Sequence, residues 1–185
     1  MLHRHMPRSA LVVIDMLNAY DFDEAEQLAE SVREALPNIR QLIDRAREDG
    51  VPIIYVNDNY GDWNSSADEL LETAKRGRFP DLVEEIAPDD DVKFVIKGRH
   101  SIFYGTPLEY LLKELEVDRV VLTGQVTEQC VLYSALDAYV RHVEVAVPRD
   151  AVAHIHEDLA EAALRMMELN MGADVTPSAD CHLRT

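Results

Sequence analysis

The sequence places an acid, a lysine and a thiol directly after three of its apolar segments. Asp15 ends the segment ALVVID, Lys97 ends VKFVIK, and Cys130 closely follows RVVLTG. A thiolate can attack a carbonyl carbon, and a carboxylate can carry the thiol proton to a leaving group. A nearby ammonium favours the thiolate. If these three side chains meet in the fold, together they can perform nucleophilic hydrolysis.

Short apolar segments rich in Val and Ile predict the strands that would bring these residues together. Each segment is almost continuously apolar, as expected for parallel strands buried on both faces. A weaker sixth strand is expected at 173–175. The five predicted strands are ALVVI at 10–14, PIIYVN at 52–57, VKFVI at 92–96, RVVLTG at 119–124 and VEVAV at 143–147.

Amphipathic stretches of helical length lie between the strands, and Pro37 is expected to break or kink the first of them. Strands that alternate with helices imply right-handed crossovers between parallel strands. The pattern therefore predicts a three-layer α/β/α Rossmann-like domain over 1–185, with a mostly parallel central sheet of five or six strands. The predicted helices cover 24–49, 107–115, 128–141 and 156–171.

The carboxyl ends of parallel strands form one edge of the sheet, where ligands bind at the topological switch point. Asp15, Lys97 and Cys130 should converge there. Thr127 is expected to cap the following helix, so that Cys130 lies in a first turn with unpaired N–H groups. That position and Lys97 should lower the pKa of the thiol, and nearby amides could hold an oxyanion. Each residue alone also has a structural interpretation, as a core thiol, a turn former or a solvated lysine.

Composition excludes several classes of function. The 185 residues carry a net charge of −17, which disfavours a nucleic-acid partner. No apolar run is long enough to span a membrane, and the basic N-terminus is expected to lead into a strand rather than to be a signal peptide. The two cysteines cannot form a disulfide framework, which predicts a cytoplasmic protein with reduced thiols. Phosphate-binding glycine motifs are absent after every predicted strand.

Three segments in order along the chain resemble the isochorismatase-like cysteine hydrolases. They are LVVIDMLNAY at 11–20, KGRHSIFYGTPLEYLL at 97–112 and TGQVTEQCVLYSALDAYVRHVEVAVPRDA at 123–151. The resemblance implies a Rossmann-like fold and an Asp–Lys–Cys triad that works without an organic cofactor. Carried over to this sequence, the triad is Asp15, Lys97 and Cys130.

The resemblance also implies how the nucleophile loop is built. A cis peptide bond is expected between Gln125 and Val126, and the amides of Val126 and Cys130 would form the oxyanion hole. The implied reaction is attack of the Cys130 thiolate on the carbon of a small amide or carbamoyl compound. Asp15 would protonate the departing nitrogen, and water would then cleave the thioester.

The substrate pocket is expected to take its wall from the loops after the first three strands. Nicotinamidases of this family carry a metal site with an Asp-x-His pair after the second strand. The corresponding segment here, NDNYGDWNSS, contains Asp58 but no histidine, so no metal is expected. A surface or dimer contact is an equal alternative for Trp63. The wall residues are Asn18, Tyr20, Asn59, Trp63, Phe103 and Tyr104.

Three other functions remain open at this point. Isochorismatases proper hydrolyse a vinyl ether, and some lack the cysteine, so Asp15 could act without the thiol. A binding module that retains the fold is a second alternative. A thiol redox protein is the least favoured, because no second cysteine lies near Cys130 in sequence. The resemblance also implies a homo-oligomer, either a dimer or a tetramer.

Overall fold

The computed structural model describes residues 8–184 and contains a six-stranded sheet in which every paired strand is parallel. The strand order is β3-β2-β1-β4-β5, and β6 pairs with the end of β4. The direction of winding reverses between β1 and β4, which makes the gap beside their carboxyl ends the topological switch point. The strands are β1 Ser9–Ile14, β2 Ile53–Asp58, β3 Lys93–Lys97, β4 Arg119–Gln125, β5 Glu144–Ala146 and β6 Val152–Ala153.

Helices cover both faces of this sheet, as the alternation of elements predicts. Helices α1 and α3 pack on one face, and α4, α5 and α6 pack on the other. A π-helical turn, Thr127–Val131, joins β4 to α5. The helices are α1 Ala25–Glu48, α2 Ala67–Lys75, α3 Asp81–Glu84, α4 Leu108–Glu114, α5 Leu132–Val140 and α6 Glu157–Met171.

Strand β1 illustrates why the strand sequences are almost continuously apolar. Leu11 and Val13 contribute to the core beneath α1, whereas Val12 and Ile14 contribute to the core beneath α4, α5 and α6. Both faces of the strand are therefore buried, which explains its uninterrupted apolar run from Ala10 to Ile14. The predicted strands and the three-layer architecture are confirmed.

Helix α1 continues through Pro37, so the predicted break is wrong. A proline inside a helix costs about 3 kcal/mol because it removes one hydrogen bond and crowds the preceding turn. The buried stripe of α1 continues past that residue through Ile39, Leu42 and Ala46. Each buried aliphatic side chain contributes about 1.5–3 kcal/mol, so the packed face outweighs the local penalty.

The sixth strand is not where the sequence predicts it. The segment 173–175 supplies only a single bridge, from Asp174 to Ala146. The sixth strand is β6, which pairs with Gly124 and Gln125 at the end of β4. Helices α2 and α3 were not predicted, and Ser66 begins α2 with a capping box that includes Glu69. Among residues 8–184, no helix is both long and apolar enough to cross a membrane.

Candidate active site

The carboxyl edge of the sheet brings together the three residues that stand at its strand ends. The Nζ atom of Lys97 lies 2.9 Å from Asp15 Oδ2 and 3.6 Å from Cys130 Sγ. All three side chains are buried. Their meeting follows directly from the parallel register, since β1 lies beside β4 and β2 connects β1 to β3.

A second acid, Asp58, completes the surroundings of the lysine. Its Oδ2 lies 3.2 Å from Lys97 Nζ, and its backbone amide donates to Asp15 Oδ1 at 2.7 Å. Sequence reasoning noticed Asp58 only for its lack of a histidine partner. The signal that could have identified it is its place at the end of β2, between the strands that carry Asp15 and Lys97.

The junction of β4 and β1 is unusually close. Gly124 has a φ of 103°, and a Cβ at that position would collide with the carbonyl oxygen of Ile14. Glycine is therefore required where the nucleophile loop leaves the sheet. One residue further along, the peptide bond between Gln125 and Val126 is cis, as the resemblance implies.

Gln125 holds the backbone of Asp15 through a side-chain hydrogen bond. Its Nε2 donates to the carbonyl oxygen of Asp15 at 2.6 Å, and its Oε1 accepts from the hydroxyl of Tyr20 at 3.3 Å. Asp15 itself has a φ of 54°, a left-handed conformation that is uncommon outside glycine. Such conformations cluster at functional sites, where the surrounding structure holds them.

Cys130 lies in the π-helical turn rather than in the first turn of a capped α-helix. The hydroxyl of Thr127 donates to the carbonyl oxygen of Ala153 at 2.9 Å, so the predicted cap is wrong. The turn is also fastened by Glu128, whose carboxylate accepts the backbone amides of Ile155 and His156 at 3.0 and 2.8 Å. The nucleophile loop is thereby bonded to β6 and to the residues that precede α6.

The electrostatics of the site differ from the prediction in one respect. Burial raises the pKa of the Cys130 thiol, and the Asp15 carboxylate raises it further, although Lys97 opposes both effects. Burial also raises the pKa of Asp15 despite its ion pair with Lys97. Burial alone would lower the pKa of Lys97, but Asp15, Cys130 and Asp58 raise it above its ordinary value. The pKa of the Cys130 thiol is therefore raised, whereas the sequence predicted that it would be lowered.

A fourth polar side chain reaches the sulfur from the solvent side. The Nδ1 atom of His100 lies 3.6 Å from Cys130 Sγ, and its imidazole is exposed. The ring packs against Tyr133, with 5.5 Å between centroids. Sequence reasoning did not single out His100, because its contact with Cys130 depends on how the loop after β3 folds.

A cavity of about 370 Å³ opens beside Lys97, between the loops that follow β2 and β3. Three of the predicted wall residues, Asn59, Trp63 and Tyr104, line it. The Trp63 ring lies against Gly98, where an added Cβ would come within 2.7 Å of the indole. The other side chains of its wall include Asp62, Ser65, Ile96 and Arg99.

The remaining predicted wall residues lie elsewhere. Tyr20 is buried behind Gln125, and Phe103 is buried in the core with the Arg141 guanidinium 5.0 Å from its ring centroid. Aromatic rings of this size gain more from the dry core than from an open wall. Asn18 borders a different cavity, which Tyr60 also lines.

The donor set does not resemble a metal centre in the part of the chain that the structure describes. No group of three or more His, Cys, Asp or Glu side chains between residues 8 and 184 is arranged to hold an ion. Asp58, the acid at the position where nicotinamidases begin their metal site, is bonded to Lys97 instead.

Comparisons with known proteins identify the family and the fold that this chain resembles. A profile of the isochorismatase domain matches residues 9–180. An uncharacterized isochorismatase family protein of Bacillus subtilis is 39% identical over 167 residues, covering 90% of this chain and 92% of its own length. The maleamate amidohydrolase of Pseudomonas putida is 29% identical over 177 residues, covering 91% and 83%. The crystal structure of a nicotinamidase from Staphylococcus aureus is similar with a TM-score of 0.72 at 28% identity, covering 92% of this chain and 98% of that chain.

Proposed function

Because this chain belongs to the isochorismatase family, we propose that it is a cysteine hydrolase that cleaves a C–N bond of a small amide or carbamoyl compound. The observation that carries the proposal is the set of contacts around Cys130. Its sulfur lies 3.6 Å from the ammonium of Lys97, which in turn lies 2.9 Å from the carboxylate of Asp15. Amidohydrolases are named among the relatives, which supports a C–N bond as the target.

The first step is transfer of the thiol proton to Asp15. Asp15 and the thiol interact closely enough to shift each other's pKa, and burial raises the pKa of both groups. A raised carboxyl pKa makes Asp15 a better proton acceptor, and Lys97 stabilises the thiolate as it forms. The thiolate is thus generated when the substrate is attacked, and it is not stored at rest.

The second step is formation of the thioester. The Cys130 sulfur attacks the carbonyl carbon, and the backbone amides of Val126 and Cys130 hold the resulting oxyanion, as the family resemblance implies. Each such donor contributes about 3–4 kcal/mol to the transition state. Asp15 then gives its proton to the departing nitrogen, so that ammonia or an amine leaves. No cofactor takes part in this sequence.

The cavity beside Lys97 is proposed to hold the rest of the substrate. Trp63 and Tyr104 give it two aromatic walls, and Asn59 adds an amide. Arg99 forms no ion pair with any acid in residues 8–184, so its guanidinium is available to an anionic group on the substrate. Amides that also carry a carboxylate are therefore the first class to test.

A panel of small primary amides and carbamoyl compounds, half of them with a carboxylate, tests the proposal through ammonia release. At least one compound should be turned over by the wild-type protein and not by Cys130→Ala. If no amide releases ammonia, while an isochorismate-like substrate is hydrolysed by Cys130→Ala but not by Asp15→Ala, the result would favour vinyl ether hydrolysis. No turnover of any compound, with the fold intact by circular dichroism, would favour a binding module.

The assembly and location of the protein are also proposals. Helix α5 exposes four large hydrophobic side chains, Tyr133, Leu136, Tyr139 and Val140, which supports a homo-oligomer that covers them. Both cysteines are free, which supports a reducing, cytoplasmic location.

A further inference from the structure

His100 differs from the other polar groups around the nucleophile in its access to solvent. The side chains of Asp15 and Lys97 are buried, whereas the imidazole of His100 is exposed and still lies 3.6 Å from Cys130 Sγ. Of the described side chains with a polar atom 3.6 Å from the sulfur, Lys97 is buried and His100 is exposed.

The loop that carries His100 is fastened to the helix that follows Cys130. The hydroxyl of Ser101 donates to Asp137, and the amide of Ile102 donates to Ser134 Oγ at 3.1 Å. Both acceptors belong to α5, as does Tyr133, whose ring packs against His100. His100 and the nucleophile are consequently held in one rigid unit, which is the condition for a catalytic contact.

The chemistry of the thioester needs a proton acceptor on this solvent side. The acyl carbon is bonded to Sγ, so a water that attacks it must lie within a few ångströms of the sulfur. Asp15 is buried with Lys97 and Asp58, where its Oδ1 accepts the Asp58 amide at 2.7 Å and its Oδ2 lies 2.9 Å from Lys97 Nζ, whereas His100 is exposed. The Nδ1 atom of His100 is within reach of the same water.

We propose that His100 is the general base of thioester hydrolysis, a role that rests on the proposed function. A water gives one proton to Nδ1 of His100, which requires the tautomer protonated at Nε2. Its oxygen forms a bond to the acyl carbon, and the C–S bond breaks with its electron pair returning to sulfur. The imidazolium then protonates the thiolate, so the products are a carboxylic acid and the original thiol.

The test uses p-nitrophenyl acetate, which acylates a reactive cysteine without the natural substrate. In His100→Asn the amide of asparagine occupies the place of Nδ1 but cannot take up a proton. The burst of p-nitrophenolate should keep the wild-type rate within about threefold, while decay of the acetyl-enzyme slows at least about 100-fold, the range of general-base catalysis. Intact-mass spectrometry should show acetylated protein that persists. His142→Asn is the matched control, because His142 is exposed beyond the other end of α5 with a φ of 59° that asparagine tolerates.

A second measurement separates a base from a structural role. Acetylated His100→Asn, freed of excess reagent, should lose its acetyl group to added hydroxylamine as fast as the wild-type protein does, since hydroxylamine attacks without a base. Equal decay of both acetyl-enzymes in water would overturn the role of His100. Slow decay with no hydroxylamine rescue would do the same, because the loop would then be distorted. A wild-type protein that never becomes acetylated at Cys130 would instead overturn the proposed function, and this inference with it.

Discussion

The two cysteines of this chain share burial and a neighbouring cation, yet only one lies in a reactive setting. Cys130 is 8% exposed and Cys181 is 1% exposed. Burial raises the pKa of both thiols, and a cation opposes that rise in each case, Lys97 for Cys130 and Arg119 for Cys181. A cation near a buried cysteine is therefore not sufficient to mark a nucleophile.

The difference lies in what can accept the thiol proton. The carboxylate of Asp15 interacts with the Cys130 thiol and raises its pKa. Arg119 lowers the pKa of the Cys181 thiol, but a guanidinium cannot take up a proton, and Arg119 is itself paired with Asp174 at 3.1 Å. Arg119 also donates to the carbonyl oxygen of His182, so its role is to fasten the end of the chain to β4. The Asp15 carboxylate and the exposed His100 imidazole therefore distinguish the surroundings of Cys130 from those of Cys181.

The largest expected contrast is in turnover. Cys130→Ala should lower kcat on any amide identified by the panel by at least about 1,000-fold, because the nucleophile is gone. Cys181→Ala should leave kcat unchanged and should lower the free energy of unfolding by about 1 kcal/mol, a common cost for a buried substitution. Ammonia release and urea denaturation measure the two effects. Loss of turnover in Cys181→Ala, in a protein that remains folded, would remove the distinction between the thiols.

The next contrast concerns the cation. Lys97→Met should reduce kcat/KM by about 100-fold or more, since the thiolate loses its stabilising charge while Asp15 and Asp58 face each other without one. The same change removes one partner of a buried ion pair and should cost about 3–5 kcal/mol of stability. Steady-state kinetics and urea denaturation report the two losses separately. A Lys97→Met protein with wild-type kcat/KM would show that the lysine only holds the acids together.

The smallest contrast is in labelling. Iodoacetamide should modify Cys130 at least about 10-fold faster than Cys181 at neutral pH. Acid should suppress labelling of Cys130 once Asp15 is protonated and can no longer accept the proton. Because burial raises the pKa of Asp15, that loss should begin at a higher pH than for an ordinary aspartate. Peptide mass spectrometry across a pH series measures this, and equal labelling of both thiols at neutral pH would argue against an activated nucleophile.

The residues that could be predicted from sequence are those fixed by strand ends. Asp15 and Lys97 terminate apolar runs, and a parallel sheet can only bring such ends to one edge. Asp58 stands at a strand end as well, but in the sequence it was considered only as part of a metal site that lacks its histidine. His100 could not be predicted, because its contact with Cys130 depends on hydrogen bonds between a loop and α5.

The fold, like the site, could be predicted in its main elements but not in its loops. The apolar runs identified five strands, whereas β6 has only two residues, Val152 and Ala153, and too little pattern to be recognised. Pro37 was misleading because local propensity yields to a long buried face. Tyr20 and Phe103 were assigned to the pocket from their position in loops, but loop aromatics can turn into the core.

Lys97 is shared by two carboxylates, and the net charge of the site does not change when a proton moves within it. Asp15 and Asp58 bring two negative charges to Lys97 and its single positive charge, so the cluster carries a net charge of −1 while the thiol is neutral. Moving the proton from Cys130 to Asp15 relocates one charge and leaves the total unchanged. Such a step exchanges no proton with bulk water and recruits no counter-ion. A titration of the resting thiol therefore reports a different equilibrium from the one that starts the reaction, and added salt should scarcely affect the latter.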